Sequence, residues 1–165
     1  MASSLQFDIA LFENNNGGDV LVKGNDLVKY YENEGQVYLA LFGGNVEEDT
    51  PSVQVPGKLR EYFWGNYFLS TENQFNSKTE RALKNTELSS QGRARIQSAV
   101  EYDLNFLKKY ADITVEVSII GQNKITIKIF TAWFTGKKTL TTLTYSFIAG
   151  DGDFSLLDFA ITDFV

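Results

Sequence analysis

From Thr114 onward the chain alternates apolar and polar positions with a period of two. Val115, Val117 and Ile119 fall on one side, and Thr114, Glu116 and Ser118 on the other. Gly121-Gln122-Asn123 marks a turn, after which Ile125, Ile127 and Ile129 alternate with Thr126 and Lys128. A second turn at Gly136-Lys137 precedes Leu143, Tyr145 and Phe147, interleaved with Thr142, Thr144 and Ser146. Such runs predict an antiparallel meander with one buried face. Upstream the period is 3.6. Ile96, Ala99, Val100, Leu104, Leu107 and Tyr110 form one stripe, predicting an amphipathic helix of about five turns. A shorter helix is expected over Lys78 to Glu87, broken by Leu88-Ser89-Ser90, where either serine can cap the helix that follows. Another is expected from Glu34 to Phe42, stopped by Gly43-Gly44. Alternation from Phe7 to Phe12, an Asn/Gly turn at Asn14 to Gly18, and Asp19-Val20-Leu21-Val22 predict a hairpin at the start. The fold class is therefore α+β: an N-terminal β-hairpin, three helices and a C-terminal antiparallel meander packed on the helices.

Between Gly43 and about Ser77 neither period holds, and both prolines, Pro51 and Pro56, lie there. A connection this long is uncommon inside one domain and is usually functional or ordered by a partner. It carries the acidic run Glu47-Glu48-Asp49 and the aromatic run from Tyr62 to Phe68. Phe63 and Trp64 could plug the gap between helix and sheet. Alternatively Tyr62, Phe63, Trp64, Asn66 and Tyr67 form a partner surface, since Trp and Tyr dominate interface hot spots. Phe130 and Phe134 lie on the otherwise polar face of their strand, with Trp133 opposite, so that end is apolar on both sides. Either the C-terminal tail or another subunit must cover it. Phe159 and Phe164 in that apolar tail join the candidate interface residues.

Composition narrows the chemistry. With 165 residues the chain is expected to form one domain, and 43% hydrophobic against 22% charged residues is a globular mix. There is no cysteine and no histidine. That excludes disulfides, thiolate nucleophiles, Ser-His-Asp triads and the commonest metal ligands. A net charge of −6 argues against a general nucleic-acid binder. No apolar run approaches the ~20 residues that cross a bilayer, and Met1-Ala2-Ser3-Ser4 does not resemble a signal peptide. A soluble protein made in a cytoplasm is expected, with no membrane partner. Asp151-Gly152-Asp153 reads as a turn, because the alternating ligands of a calcium loop are missing. Glu80 with Glu87, and Glu101 with Asp103, could act as paired carboxylates, but read as solvated charge on helix faces. Lys108-Lys109 and Lys137-Lys138 read as a helix C-terminus and a hairpin turn. No cofactor, metal or catalytic residue is expected.

The order of these elements resembles the small baseplate wedge proteins of contractile-tailed phages, especially the Mu-like branch, related to the T4-type wedge protein labelled lysozyme-like. That family's opening Asp-[Ile/Leu]-Ala-Leu, second strand and Gly-Asp-Leu turn correspond to Asp8-Ile9-Ala10-Leu11, Asp19-Val20-Leu21 and Asn25-Asp26-Leu27. Its Leu-Phe helix end matches Leu41-Phe42, and its Trp-Trp-Gly-Asp mark matches Phe63-Trp64-Gly65-Asn66 with Phe and Asn substituted. Its helix and Val-x-Val hairpin match Leu104 to Leu107 and Val115-Glu116-Val117. The family's Ser-[Lys/Arg]-Leu-Trp element has no counterpart around Ser77-Lys78. The likeness divides the chain into 1–130, wedge-like, and 131–165, a lineage-specific strand and apolar extension of the same domain. It implies a structural subunit of a virion tail baseplate, synthesised in the host bacterial cytoplasm. Such a subunit would bind larger wedge proteins, and tube or hub proteins, in a sixfold assembly without catalysis. Related parts occur in contractile injection and type VI secretion machines. A carboxylate-dependent, lysozyme-like cell-wall hydrolase and a carbohydrate-binding module are the rival classes.

Overall fold

Helices and strands are segregated along the chain, an α+β arrangement, in the computed structural model, which describes residues 7–13, 18–31, 34–42, 68, 77–147 and 154–163. The N-terminal portion is built from β1 (Phe7–Ile9), β2 (Leu11–Glu13), β3 (Gly18–Val20), β4 (Val22–Lys23), β5 (Asp26–Leu27) and β6 (Lys29–Tyr31). β1 pairs with β6, β2 with β3 and β4 with β5, all antiparallel. Three segments thus each pair with the other two, and each changes partner at one residue: Ala10, Leu21 or Val28. Those three residues close a ring of backbone bonds. Ala10 N–H donates to the Val28 carbonyl (2.8 Å), Val28 N–H to that of Leu21 (2.9 Å), and Leu21 N–H to that of Ala10 (2.8 Å). Gly24, at φ 69°, makes the tight turn between β4 and β5. The expected hairpin is therefore two limbs of a three-limbed unit. Its third limb, Asp26 to Tyr31, has no alternation of its own and is held by pairing with β1 and β4.

Helix α1 (Glu34–Phe42) has both expected ends. Helix α2 (Lys78–Asn85) stops short of the expected Glu87. Helix α3 (Ser90–Asp103) is capped by Ser89, whose hydroxyl accepts from Gly92 N–H at 3.0 Å. Instead of continuing to Tyr110, α3 tightens into a 3-10 turn, Asn105–Lys109. Leu104 N–H still reaches the Val100 carbonyl, but Leu107 N–H reaches only that of Leu104, each at 3.0 Å. The ladder has shortened from four residues to three.

The remaining strands, β7 (Ala111–Gly121), β8 (Lys124–Trp133), β9 (Lys138–Phe147) and β10 (Phe154–Asp163), form an antiparallel sheet in the order β10-β9-β8-β7. Its inner face presents Val115, Val117, Ile125, Ile127, Ile129 and Leu143 to Val37, Leu41, Leu83, Ile96 and Val100 of the helices. Each such side chain, fully buried, contributes about 1.5–3 kcal/mol. Ile119, expected on this face, is exposed, as is Ile120. Alternation assigns a side of the strand, whereas coverage depends on how far the helices extend. Conversely Thr131, Thr139 and Thr141 are buried on the inner face.

The tail adds strand β10 beside β9, from Phe154↔Phe147 to Asp163↔Thr139, with an irregularity at Leu157; it extends the sheet at its edge, one strand removed from β8, and leaves Phe134 exposed. Residue 130 lies in the middle of β8, so 131–165 supplies half of one continuous sheet. Deleting residues 151–165 is expected to expose the β9 edge and lower the melting temperature of the isolated chain, with aggregation on size exclusion. A truncated chain that stays monomeric with an unchanged melt would contradict this.

Candidate interaction surface

At one end of the sheet the residues singled out for an interface separate by face. β8 alternates, so Ile129, Thr131 and Trp133 turn inward while Lys128, Phe130 and Ala132 turn outward. Phe130 is half-buried on the outer face, in register with Leu140 of β9 and Thr114 of β7. Trp133 is 4% exposed and belongs to the core. Its indole Nε1–H donates to Thr139 Oγ1 at 3.3 Å, which resolves the polar atoms of both buried side chains. The assignment of Trp133 to an interface is thus corrected: its ring is enclosed by its own fold. Thr131 Oγ1, also buried, has no hydrogen-bond partner among the described residues.

Phe134 stands just beyond β8 and is 65% exposed. Its N–H donates to the Tyr110 carbonyl at 3.0 Å, carrying on the ladder one step past Ala111↔Trp133. Tyr110 is 42% exposed. The sequence stripe placed Tyr110 with the buried residues, but the helix ends at Lys109 and Tyr110 is the residue where the chain turns into β7. Two exposed aromatic residues are therefore backbone neighbours at this end, one foreseen and one missed. The signal available for Tyr110 was its position directly after Lys108-Lys109, a pair that favours a helix C-terminus. Phe159 of β10 pairs in register with Leu143 of β9. Tyr62, Phe63, Trp64, Asn66, Tyr67 and Phe164 lie outside the described residues, as do Glu47-Glu48-Asp49 and Asp151-Gly152-Asp153. Phe68, at the end of that aromatic run, is 81% exposed.

The carboxylates weighed for acid–base chemistry are differently placed. Glu87 follows the end of α2, so it does not share a helix face with Glu80. Glu101 is exposed and accepts from Gln97 Nε2 at 3.0 Å. Asp103 is buried at the junction of the three helices. Its Oδ1 accepts from Lys78 N–H (3.0 Å), and Oδ2 from Thr79 N–H and Thr79 Oγ1 (2.7 Å each). Ser77 completes the junction, accepting from Glu80 N–H at 3.2 Å and donating its own hydroxyl to the Leu41 carbonyl at the end of α1. The Lys78 ammonium lies 3.6 Å from the centre of the Tyr102 ring. Burial raises the Asp103 carboxyl above its ordinary value, outweighing the hydrogen bonds from Thr79 and Lys78 that lower it. Both oxygens are engaged in holding α2 onto α3.

Among the described residues no group of three or more Asp and Glu could hold a metal ion. No described helix is long and apolar enough to cross a membrane. No family model, curated protein or solved structure matches this chain.

Proposed function

We propose that the chain is a structural subunit of the baseplate wedge type, from a contractile phage tail or a related injection or type VI secretion machine. In this reading it binds larger wedge proteins around a sixfold hub and tube, resides in the virion baseplate and performs no catalysis. The observation that carries it is where the wedge-like motifs fall. Asp8-Ile9-Ala10-Leu11 spans β1 and β2, Asp19-Val20-Leu21 covers β3 and its end, and Asn25-Asp26-Leu27 covers the β4–β5 turn. These are the three segments that interlock through Ala10, Leu21 and Val28. Three short motifs within residues 8–27 thus meet in one unit, which supports reading them as a single local architecture. The hairpin–helices–meander form of the α+β fold belongs to the same reading.

Protein composition of purified contractile particles from the encoding organism tests it. The chain is expected at a fixed ratio to sheath and tube proteins, in the fraction that retains baseplates. Its absence from such particles would overturn the reading. The lysozyme-like alternative makes the opposite enzymatic prediction. Purified cell walls incubated with the isolated chain are expected to keep their turbidity. Clearing that is abolished by Glu80→Gln or Glu101→Gln would replace the wedge reading with a hydrolase.

A further inference from the structure

The lysine pairs Lys108-Lys109 and Lys137-Lys138 lie far apart in sequence, but the segments that carry them adjoin at the sheet end, where Phe134 N–H donates to the Tyr110 carbonyl. Lys108 and Lys109 form the last turn of the 3-10 segment leading into Tyr110. After Phe134 the chain reverses through Gly136, at φ 98°, and the Lys137 carbonyl accepts from Trp133 N–H at 2.8 Å. Lys138 opens β9 in register with Ala132, beside Phe134. The Lys109 ammonium sits 5.0 Å from the centre of the Tyr110 ring. Among the described residues, two carboxylates share this end. Asp163 lies 3.4 Å from the Lys137 ammonium, and Asp112 of β7 is paired with Ala132 of β8. Lys108, Lys109 and Lys138 are all exposed. A local excess of positive charge therefore surrounds an aromatic centre, on a chain whose net charge is −6.

We propose that this sheet end docks an acidic segment of a partner protein, with an apolar side chain against Tyr110 and Phe134 and carboxylates against Lys108, Lys109 and Lys138. The proposal rests on the reading of Phe134 as an interface residue and adds the chemistry of what meets it. Apolar centres with charged rims are the ordinary anatomy of protein interfaces, and rigid aromatic side chains serve as their anchors. Rim charges select the partner and accelerate encounter. The net charge favours a short acidic peptide segment over a polyanion. Beyond a Debye length of about 8 Å at physiological salt, a nucleic acid or an anionic bilayer meets the repulsion of the whole chain, while a short segment meets mainly the local lysines.

The full chain is titrated against a fluorescein-labelled, end-capped peptide, Glu-Glu-Phe-Leu-Glu-Glu, and anisotropy is read at low and physiological salt. Saturable, salt-sensitive binding is expected. Phe134→Ala should weaken it about tenfold, as should Lys109→Gln with Lys138→Gln, and the lysine variant should also flatten the salt dependence. All these positions are exposed, so denaturation midpoints should stay at the wild-type value. Absence of saturable binding, or binding indifferent to the lysine variant, overturns the proposal. So does tighter binding of oligothymidine or phosphatidylserine vesicles, or self-association of the chain abolished by the same substitutions. Particle incorporation separates the two levels of inference. If Phe134→Ala prevents incorporation while the lysine variant is incorporated and binds peptide normally, the interface stands and the acidic partner fails. If both variants are incorporated normally, the interface reading fails too.

Discussion

Replacing Gly92 by alanine is expected to destabilise the protein by about 3 kcal/mol, although the same change on an exposed helix ordinarily stabilises by up to about 1 kcal/mol. Gly92 is in the first turn of α3 and buried. A Cβ there would overlap the Glu87 carbonyl oxygen and stand 2.7 Å from Thr86 Cγ2. The oxygen belongs to backbone that cannot rotate away, and Ser89 N–H is already bonded to it at 2.9 Å. Relief requires α3 to shift. That shift would stretch the cap between Ser89 Oγ and Gly92 N–H, and the reach of Arg93 Nη1 to the Val117 carbonyl on edge strand β7, now 3.3 Å. Urea denaturation of Gly92→Ala beside Gln91→Ala, an exposed neighbour, measures this. The Gln91 variant should remain within about 0.5 kcal/mol of wild type. Equal midpoints for the two variants would show that the loop before α3 accommodates a methyl group.

Asp103→Ala is expected to cost about 3 kcal/mol, because it strands Lys78 N–H, Thr79 N–H and the Thr79 hydroxyl at a buried junction. Asp103→Asn keeps one acceptor oxygen and should cost less. The two substitutions also differ in pH dependence. The folded-state carboxyl titrates above its ordinary value because it is buried. Between the unfolded and folded values the native state therefore holds more protons than the unfolded chain, and stability falls as pH rises across that window. The contribution is fully present below the unfolded value and is lost once pH passes the folded one. Asp103→Asn has no such slope, so the advantage of wild type over it should be greatest in acid and shrink as pH increases. The chain has no histidine to add a second titration near neutrality. Denaturation midpoints of both proteins across the acid range provide the check. A gap that widens with rising pH would reverse the assigned direction.

How well each feature could be read from the sequence follows from the range of the interaction behind it. Helix α1 was bounded at both ends because its apolar spacing and the Gly43-Gly44 stop are local signals. Ser89 was one of two capping candidates, and the choice between adjacent serines fell to backbone geometry. The strands of the β7–β8–β9 meander announced themselves through a period of two. By contrast, α2 ended early where Thr86 and Glu87 pack against Gly92 of α3, and α3 tightened at Leu104 beside the Asp103 junction, which joins residues more than twenty positions apart. Thr139 and Thr141 carry polar side chains on the strand face that alternation shares with Leu143 and Tyr145. Their burial depends on the face that pairing with β8 imposes, and for Thr139 on the Trp133 indole as well.

The same distinction divides the candidate surface. Phe130, Trp133 and Phe134 could be noticed in the sequence as apolar residues crowding one strand end. Only the folded sheet buried Trp133 and left Phe134 in water. What the sequence by itself determined is the α+β class, most element positions and the absence of histidine and cysteine chemistry, since periodicity, caps and composition act within a few residues. The tertiary structure alone decided that the tail pairs with β9, that Asp26 to Tyr31 is a third limb, and that the segments carrying the two lysine pairs adjoin at Tyr110 and Phe134. Those outcomes depend on which backbone donors and acceptors find each other across long loops. A short stretch of sequence carries the capacity for such bonds but not the identity of the partner.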